Sequence, residues 1–305
     1  MTPDEHTIHE HMLAVGDGHE LYVQEWGHRS ARRTFLFLHG GPGSGCRTSA
    51  KILFDGTRDH VVFFDQRGAG KSTPAGALEH NTTGKLVDDI TRVLDKLVLP
   101  QVTLVGGSWG SCLALTYALA HPERVEAMIL RGLFTGTKAE IDHLEQGAFR
   151  LFYPEVWETF TAAVPEAHRH NPAAYYHQLL AGNDPAAATA AAYAFSEMEG
   201  AVSMLDDRHT PEDPATFDPN RVWIETHYFR NHCFLEEGHI MAHARALTMP
   251  VWLVQGRYDM ACAPATAYAL HKQLPNSQLI FTVSGHSGND RGNFDAVRSI
   301  IRTLQ

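Results

Sequence analysis

The chain has 305 residues, 44% hydrophobic and 20% charged, which suits one large soluble domain or a core carrying a smaller insertion. A formal net charge of −10 without any basic run removes the phosphate attraction that nucleic-acid binding needs, and no apolar stretch reaches bilayer-spanning length. Four widely spaced cysteines without a C-x-x-C, and an acidic N-terminus without an apolar signal core, lead us to expect a reduced, cytoplasmic protein.

Alternating segments at 7–15 and 20–26, joined by Gly16-Asp17-Gly18, predict a hairpin, because Asp-Gly suits its tight turn. Continuous apolar runs follow at 34–38 and 61–64, of the kind that fills a strand covered on both faces. The first ends in His39-Gly40-Gly41-Pro42-Gly43 and the second in Asp65-Gln66-Arg67-Gly68. Residues 83–99 read as a helix, with Leu86, Ile90, Val93, Leu94 and Leu97 at helical spacing and Pro100 beyond its end. Residues 102–105 predict a strand, 111–120 a helix and 125–130 a further strand. From 135 to 243 strand-like runs give way to Ala-rich and aromatic helical stretches, including 184–204. Strands resume at 251–254 and 279–283, with helices around 265–273 and 294–304. This order predicts an α/β fold with a mostly parallel sheet flanked by helices. Its core comprises 1–134 and 244–305, and 135–243 forms a helical insertion.

Chemistry concentrates at Gly106-Gly107-Ser108-Trp109-Gly110, a G-x-S-x-G between predicted strand and helix. Small residues must flank a turn this sharp, and its strain lifts the serine hydroxyl above the sheet. A serine nucleophile needs a base, and the base needs an orienting acid. Both belong on loops at the carboxyl ends of strands. Asp259, in Gly256-Arg257-Tyr258-Asp259, and His286, in Ser284-Gly285-His286-Ser287-Gly288, occupy such loops in the order that serine-elbow hydrolases use. Oxyanion donors are expected from the Trp109 backbone N–H and from Gly41 in the first glycine-rich loop. Gly70-Lys71-Ser72 is no nucleotide loop, since the required first glycine is Asp65. The pairs around His9, His168 and His239 lack the spacing of a metal site, so neither metal nor organic cofactor is expected.

His39-Gly40-Gly41-Pro42-Gly43, Asp65-Gln66-Arg67-Gly68-Ala69-Gly70-Lys71-Ser72, Gly106-Gly107-Ser108-Trp109-Gly110-Ser111, Gly256-Arg257-Tyr258-Asp259 and Gly285-His286-Ser287 together resemble the prolyl iminopeptidase (proline iminopeptidase) family. The resemblance implies an α/β-hydrolase fold, a helical cap where the insertion lies, and a serine peptidase that removes N-terminal proline. It implies small peptides with a free N-terminus as partners, and a monomer or weak homo-oligomer. It assigns the substrate ammonium to Glu199, in Phe195-Ser196-Glu197-Met198-Glu199-Gly200, and Glu225, in Trp223-Ile224-Glu225-Thr226-His227-Tyr228-Phe229. Arg131 and Phe134, in Arg131-Gly132-Leu133-Phe134, would border the proline pocket. Phe195 and Met198 replace two tryptophans of the family motif, and Leu144 replaces a tyrosine, so the pocket is expected to differ in shape. An esterase or amidase with the same triad is the alternative, and a binding protein that kept only the fold is a third reading.

Overall fold

The hairpin forms as β1 (Thr7–Gly16) and β2 (His19–Gly27), with Gly16, Asp17 and Gly18 all at positive φ in the turn. The computed structural model describes residues 6–205 and 209–304. The apolar runs become β3 (Thr34–Leu38) and β4 (His60–Phe64), and every residue of the latter is buried. With β5 (Val102–Ser108), β6 (Val125–Leu133), β7 (Val251–Gly256) and β8 (Ser277–Thr282) they make one sheet among the described residues, ordered β1-β2-β4-β3-β5-β6-β7-β8. Pairing is antiparallel through β1, β2 and β4 and parallel from there on. The carboxyl ends of β3, β5, β6, β7 and β8 therefore share one edge, where loops can converge.

Helix α1 (Thr83–Lys96) starts where the Thr82 hydroxyl accepts the Lys85 N–H, and it buries Leu86, Ile90, Val93 and Leu94 against the sheet. It ends three residues before the expected Leu99. Val98 takes φ +56° and leaves its side chain 84% exposed, which an uninterrupted helix would not allow. Helix α2 (Trp109–Ala120) is apolar on nearly every face and runs through the main core. It begins directly after Ser108, two residues earlier than the sequence pattern indicates, because β5 continues to the serine itself.

Between β6 and β7 the described residues form no strand. This segment holds α3 (Lys138–Glu145), α4 (Pro154–Ala162), α5 (Pro172–Leu180), α6 (Pro185–Ser203), α7 (Asn220–Arg230) and α8 (His239–His243). Helix α6 matches the expected 184–204 closely: Asp184 accepts the N–H groups of Ala186 and Ala187, Pro185 sits at the first position, and alanines extend it. A separate apolar cluster, built on Phe149, Phe160, Tyr176, Ala192 and Phe195, holds these helices together. Helices α9 (Pro264–Gln273) and α10 (Arg291–Thr303) return the chain to the sheet, α10 covering the face that also carries a short 3₁₀ turn, Thr48–Leu53. No described helix is long and apolar enough to cross a membrane.

Candidate active site

Ser108 occupies the junction of β5 and α2 at φ +56° and ψ −126°, a backbone conformation that side chains rarely adopt. The glycines around it are dictated by space. A side chain on Gly106 would strike the Gly110 carbonyl, and one on Gly110 would strike that of Leu38. The turn thus closes against the end of β3 and leaves the serine facing a cavity of about 700 Å³. The Cys262 thiol, which burial holds firmly protonated, also borders that cavity. His286 lines the same cavity.

The His286 imidazole is fixed from behind. Its Nδ1 lies 2.9 Å from Asp259 Oδ2. Asp259 is buried and fully used: Oδ1 accepts the N–H groups of Ala261 (3.0 Å) and Cys262 (2.7 Å), and Oδ2 also accepts from Gln255 Nε2 (3.0 Å). With Asp259 accepting from the imidazole, Nδ1 carries the ring proton and Nε2 is left free. Gly132, at φ +55°, clears the space: a Cβ there would lie 3.0 Å from His286 Cε1 and 3.1 Å from Nδ1. The loop carrying the histidine is tied at successive carbonyls. Asn293 Nδ2 donates to Gly285 O (3.1 Å) and Ser287 O (2.9 Å), and Arg131 donates to His286 O between them.

The first glycine-rich loop, ending β3, borders Ser108 from the other side. Gly41 stands at φ +106° in a cis Gly41–Pro42 link, and a Cβ on it would crowd the N–H groups of Gly43 and Ser44. His39 braces this loop. Its Nε2 accepts the Gln66 N–H (3.0 Å), so its Nδ1 carries the proton donated to Gly40 O (2.9 Å), and burial favours this neutral form. Gln66 donates to His39 O (3.0 Å) and accepts from the Trp109 indole (2.9 Å). The Trp109 side chain is therefore buried structure, and only its backbone N–H, directly after Ser108, is placed to serve an oxyanion.

Glu199 on α6 and Glu225 on α7 line the far part of the cavity and hydrogen-bond each other. Burial pushes Glu199 up to about 7, against the partial relief of the nearby Arg221 charge. Burial and the charge of Glu199 push Glu225 well above the ordinary carboxylate range. Two carboxyls this close and this deep cannot both ionise unless a cation joins them. Arg221, which sits one turn before Glu225, is occupied by Glu212 (2.7 Å) and Ser196. Both helices are anchored to the catalytic frame. Tyr228 on α7 packs its ring 4.9 Å from Trp109 and donates to Asn81 (2.8 Å). At the end of α6, Ser203 O accepts the Ser287 N–H (2.7 Å) beside His286. Phe134, Leu144 and Arg131 also line the cavity, whereas Phe195 and Met198 sit in the core of the helical segment. Their altered identities therefore act on the walls through packing, and Leu144 acts directly.

A family model described as the alpha/beta hydrolase fold matches residues 33–290. A proline iminopeptidase of Xylella fastidiosa (strain 9a5c) is 39% identical over 304 residues, covering 97% of this chain and 95% of the relative. The chain belongs to the proline iminopeptidase family. A proline iminopeptidase of Arabidopsis thaliana is 38% identical over 92% of this chain and 75% of its own length. Among solved structures, a proline iminopeptidase of Mycobacterium smegmatis superposes with a TM-score of 0.68 at 18% identity, covering 97% of each chain. An esterase from Exiguobacterium antarcticum, at 0.59 and 19% identity over 96% of this chain and 97% of its own, shares the fold as well.

Within this family member, sequence reasoning missed Gln255, Asn293 and Asp290, which hold the Asp259 and His286 loops. Gln255 left a faint signal, a polar residue closing an apolar strand. Asn293 and Asp290 left none, since an Asn and an Asp at the start of a surface helix are ordinary. Arg131 was read as a pocket residue; it does line the cavity, but its guanidinium is spent on the His286 carbonyl.

Proposed function

We propose that this chain is a cytoplasmic serine aminopeptidase that releases N-terminal proline from short peptides, with residues 135–243 acting as a cap over the site. The observation that carries this reading is the pair Glu199 and Glu225, two buried carboxyls that form no ion pair among the described residues, in the cavity that also holds Ser108 and His286. A secondary ammonium set between them supplies the missing charge, and Phe134 and Leu144 offer apolar walls to the ring.

Ser108 gives up its proton to His286 Nε2 and attacks the scissile carbonyl carbon. The N–H groups of Trp109 and Gly41 receive the charge that develops on the carbonyl oxygen. Asp259 stabilises the imidazolium, which passes its proton to the leaving nitrogen as the C–N bond breaks. Water then adds to the prolyl ester, His286 takes its proton, and proline leaves as Ser108 recovers its hydrogen. Arg131 and Asn293 hold the histidine loop while these transfers occur. No step requires a metal or organic group.

The test compares free prolyl p-nitroanilide, its N-acetyl derivative and p-nitrophenyl acetate. Losing a paired, desolvated charge costs about 2–5 kcal/mol, so the free amine should exceed the blocked one in kcat/KM by about a hundredfold. Equal turnover of the two anilides would remove the ammonium role and leave a general esterase or amidase.

A further inference from the structure

The cavity is larger than a proline ring and its ammonium require, and its remainder has a different character. Besides Ser108 and the cap residues, its walls include Phe37 of β3, Ala50 and Leu53 of the 3₁₀ turn, and Phe294 and Val297 of α10. These side chains, Phe294 aside, belong to or pack on the apolar cluster shared by the sheet and α10, whereas Leu144 belongs to that of the helical segment. The walls of the cavity thus rest on two separate cores. Arg47, which precedes the 3₁₀ turn, also lines the cavity; it is exposed, and among the described residues its guanidinium has no carboxylate partner.

We propose that this second lobe is the leaving-group subsite, and that it takes an apolar second residue whose free carboxylate pairs with Arg47. The proposal rests on the aminopeptidase reading above. If the ammonium lies at Glu199 and Glu225, bond cleavage at Ser108 puts the acyl part on that side and the departing residue on the other. A dipeptide is a zwitterion, and the cavity offers carboxylates at one end and a permanently charged guanidinium at the other. A guanidinium can hold a carboxylate through two parallel N–H···O bonds. Between the charges, Leu53 and Phe294 present apolar surface that a side chain such as leucine would cover. The preferred substrates are then proline dipeptides with an apolar second residue, the products of an upstream peptidase that cuts chains into short pieces.

The experiment measures kcat/KM for Pro-Leu, Pro-Leu amide and Pro-Gly with the wild-type enzyme, Arg47→Met and Arg47→Lys. Each protein is read through its own ratios, so a partial loss of folded enzyme cancels. We expect Pro-Leu to exceed its amide about fivefold in the wild type, as suits one solvent-accessible ion pair. The ratio should fall to near one in Arg47→Met and recover in Arg47→Lys, and Pro-Leu should exceed Pro-Gly about tenfold. A wild-type ratio near one for Pro-Leu against its amide, or a preference that survives Arg47→Met, would overturn the Arg47 pairing. Equal rates for Pro-Leu and Pro-Gly would overturn the apolar lobe. Failure to cleave any of these while p-nitrophenyl acetate is hydrolysed would instead remove the aminopeptidase reading, and the subsite with it.

Discussion

Gly285, His286 and Ser287 direct three consecutive carbonyls at two side chains, Asn293 and Arg131, and this decides where the imidazole points. A histidine on a loop otherwise has no fixed aim, and misplacement by an ångström costs orders of magnitude in rate. Asn293→Ala removes both of its donations and leaves two interior carbonyls short of partners, worth about 1–3 kcal/mol each. We expect kcat for prolyl p-nitroanilide to drop at least tenfold while KM changes little, because Asn293 does not line the cavity; steady-state kinetics separates the two. A matched fall in kcat and rise in KM would point to general loosening instead. At this scale the sequence was most informative where chemistry needs special backbone. The glycine-rich turns after apolar strands single out Ser108, Asp259 and His286, and the structure brings Ser108 and His286 to one cavity with Asp259 bonded to the histidine. Asn293 acts through ordinary contacts that leave no local pattern, and Gln255 shows only as a polar residue closing an apolar strand.

Helices α6 and α7 each carry an acidic residue whose neighbours in sequence suggest a solvated face. Only their crossing reveals that the two residues meet. The pairing is costly to the fold, and the sign follows from proton uptake. Folded Glu199 titrates at about 7 against an ordinary 4.5, so the folded state keeps a proton that the unfolded chain releases between those values. Its protonation supports folding most fully below 4.5, and that support fades as the pH rises to about 7. Glu199→Gln should therefore raise the melting temperature at pH 8 by a few degrees, about 2 kcal/mol after allowing for water in the cavity, with no gain at pH 4. The same substitution should lower kcat/KM for prolyl p-nitroanilide about thirtyfold. Calorimetry at the two pH values, with kinetics on the same samples, checks both halves. Element boundaries show the same division between local and tertiary information. Helix α6 carries its own start signal, Asp184-Pro185, and begins where it says. Strand β8 covers Ser277–Thr282 and not the expected 279–283, since Arg257 N–H takes the Thr282 carbonyl and Val283 turns out 78% exposed.

Among the described residues three apolar clusters divide the work of the whole molecule, one on the α2 face of the sheet, a second within the helical segment and a third on the α10 face. Phe160 lies in the second, 3% exposed and packed on Tyr176 and Phe195 at ring distances of 4.8 and 5.3 Å. Phe160→Ala should cost about 3–5 kcal/mol locally. If the helical segment serves mainly to hold the ammonium, turnover of free prolyl substrates should fall tenfold or more, while labelling of Ser108 by a fluorophosphonate slows far less. Parallel loss of both would show that the segment also supports the catalytic loops. That the sheet is mostly parallel, and that a long helical stretch interrupts the strands, was readable from the alternation of apolar runs, since the central strands β4 and β5 are buried almost throughout. How the insertion folds over the sheet was not, because its helices are specified by packing among themselves.

The contact between the end of α6 and the histidine loop has a mechanical meaning. Gly285 is pressed so closely on α6 that a Cβ would sit 2.9 Å from Ser203 O and 3.0 Å from Leu205 N, and Asp290 Oδ2 accepts the N–H groups of both Gly285 and Leu205. Under the proposed mechanism, lifting the end of α6 along this seam would pull away the contacts that hold the His286 loop. A peptide admitted from that side would meet a disarmed enzyme, so the threshold it crosses has to lie along another part of the rim.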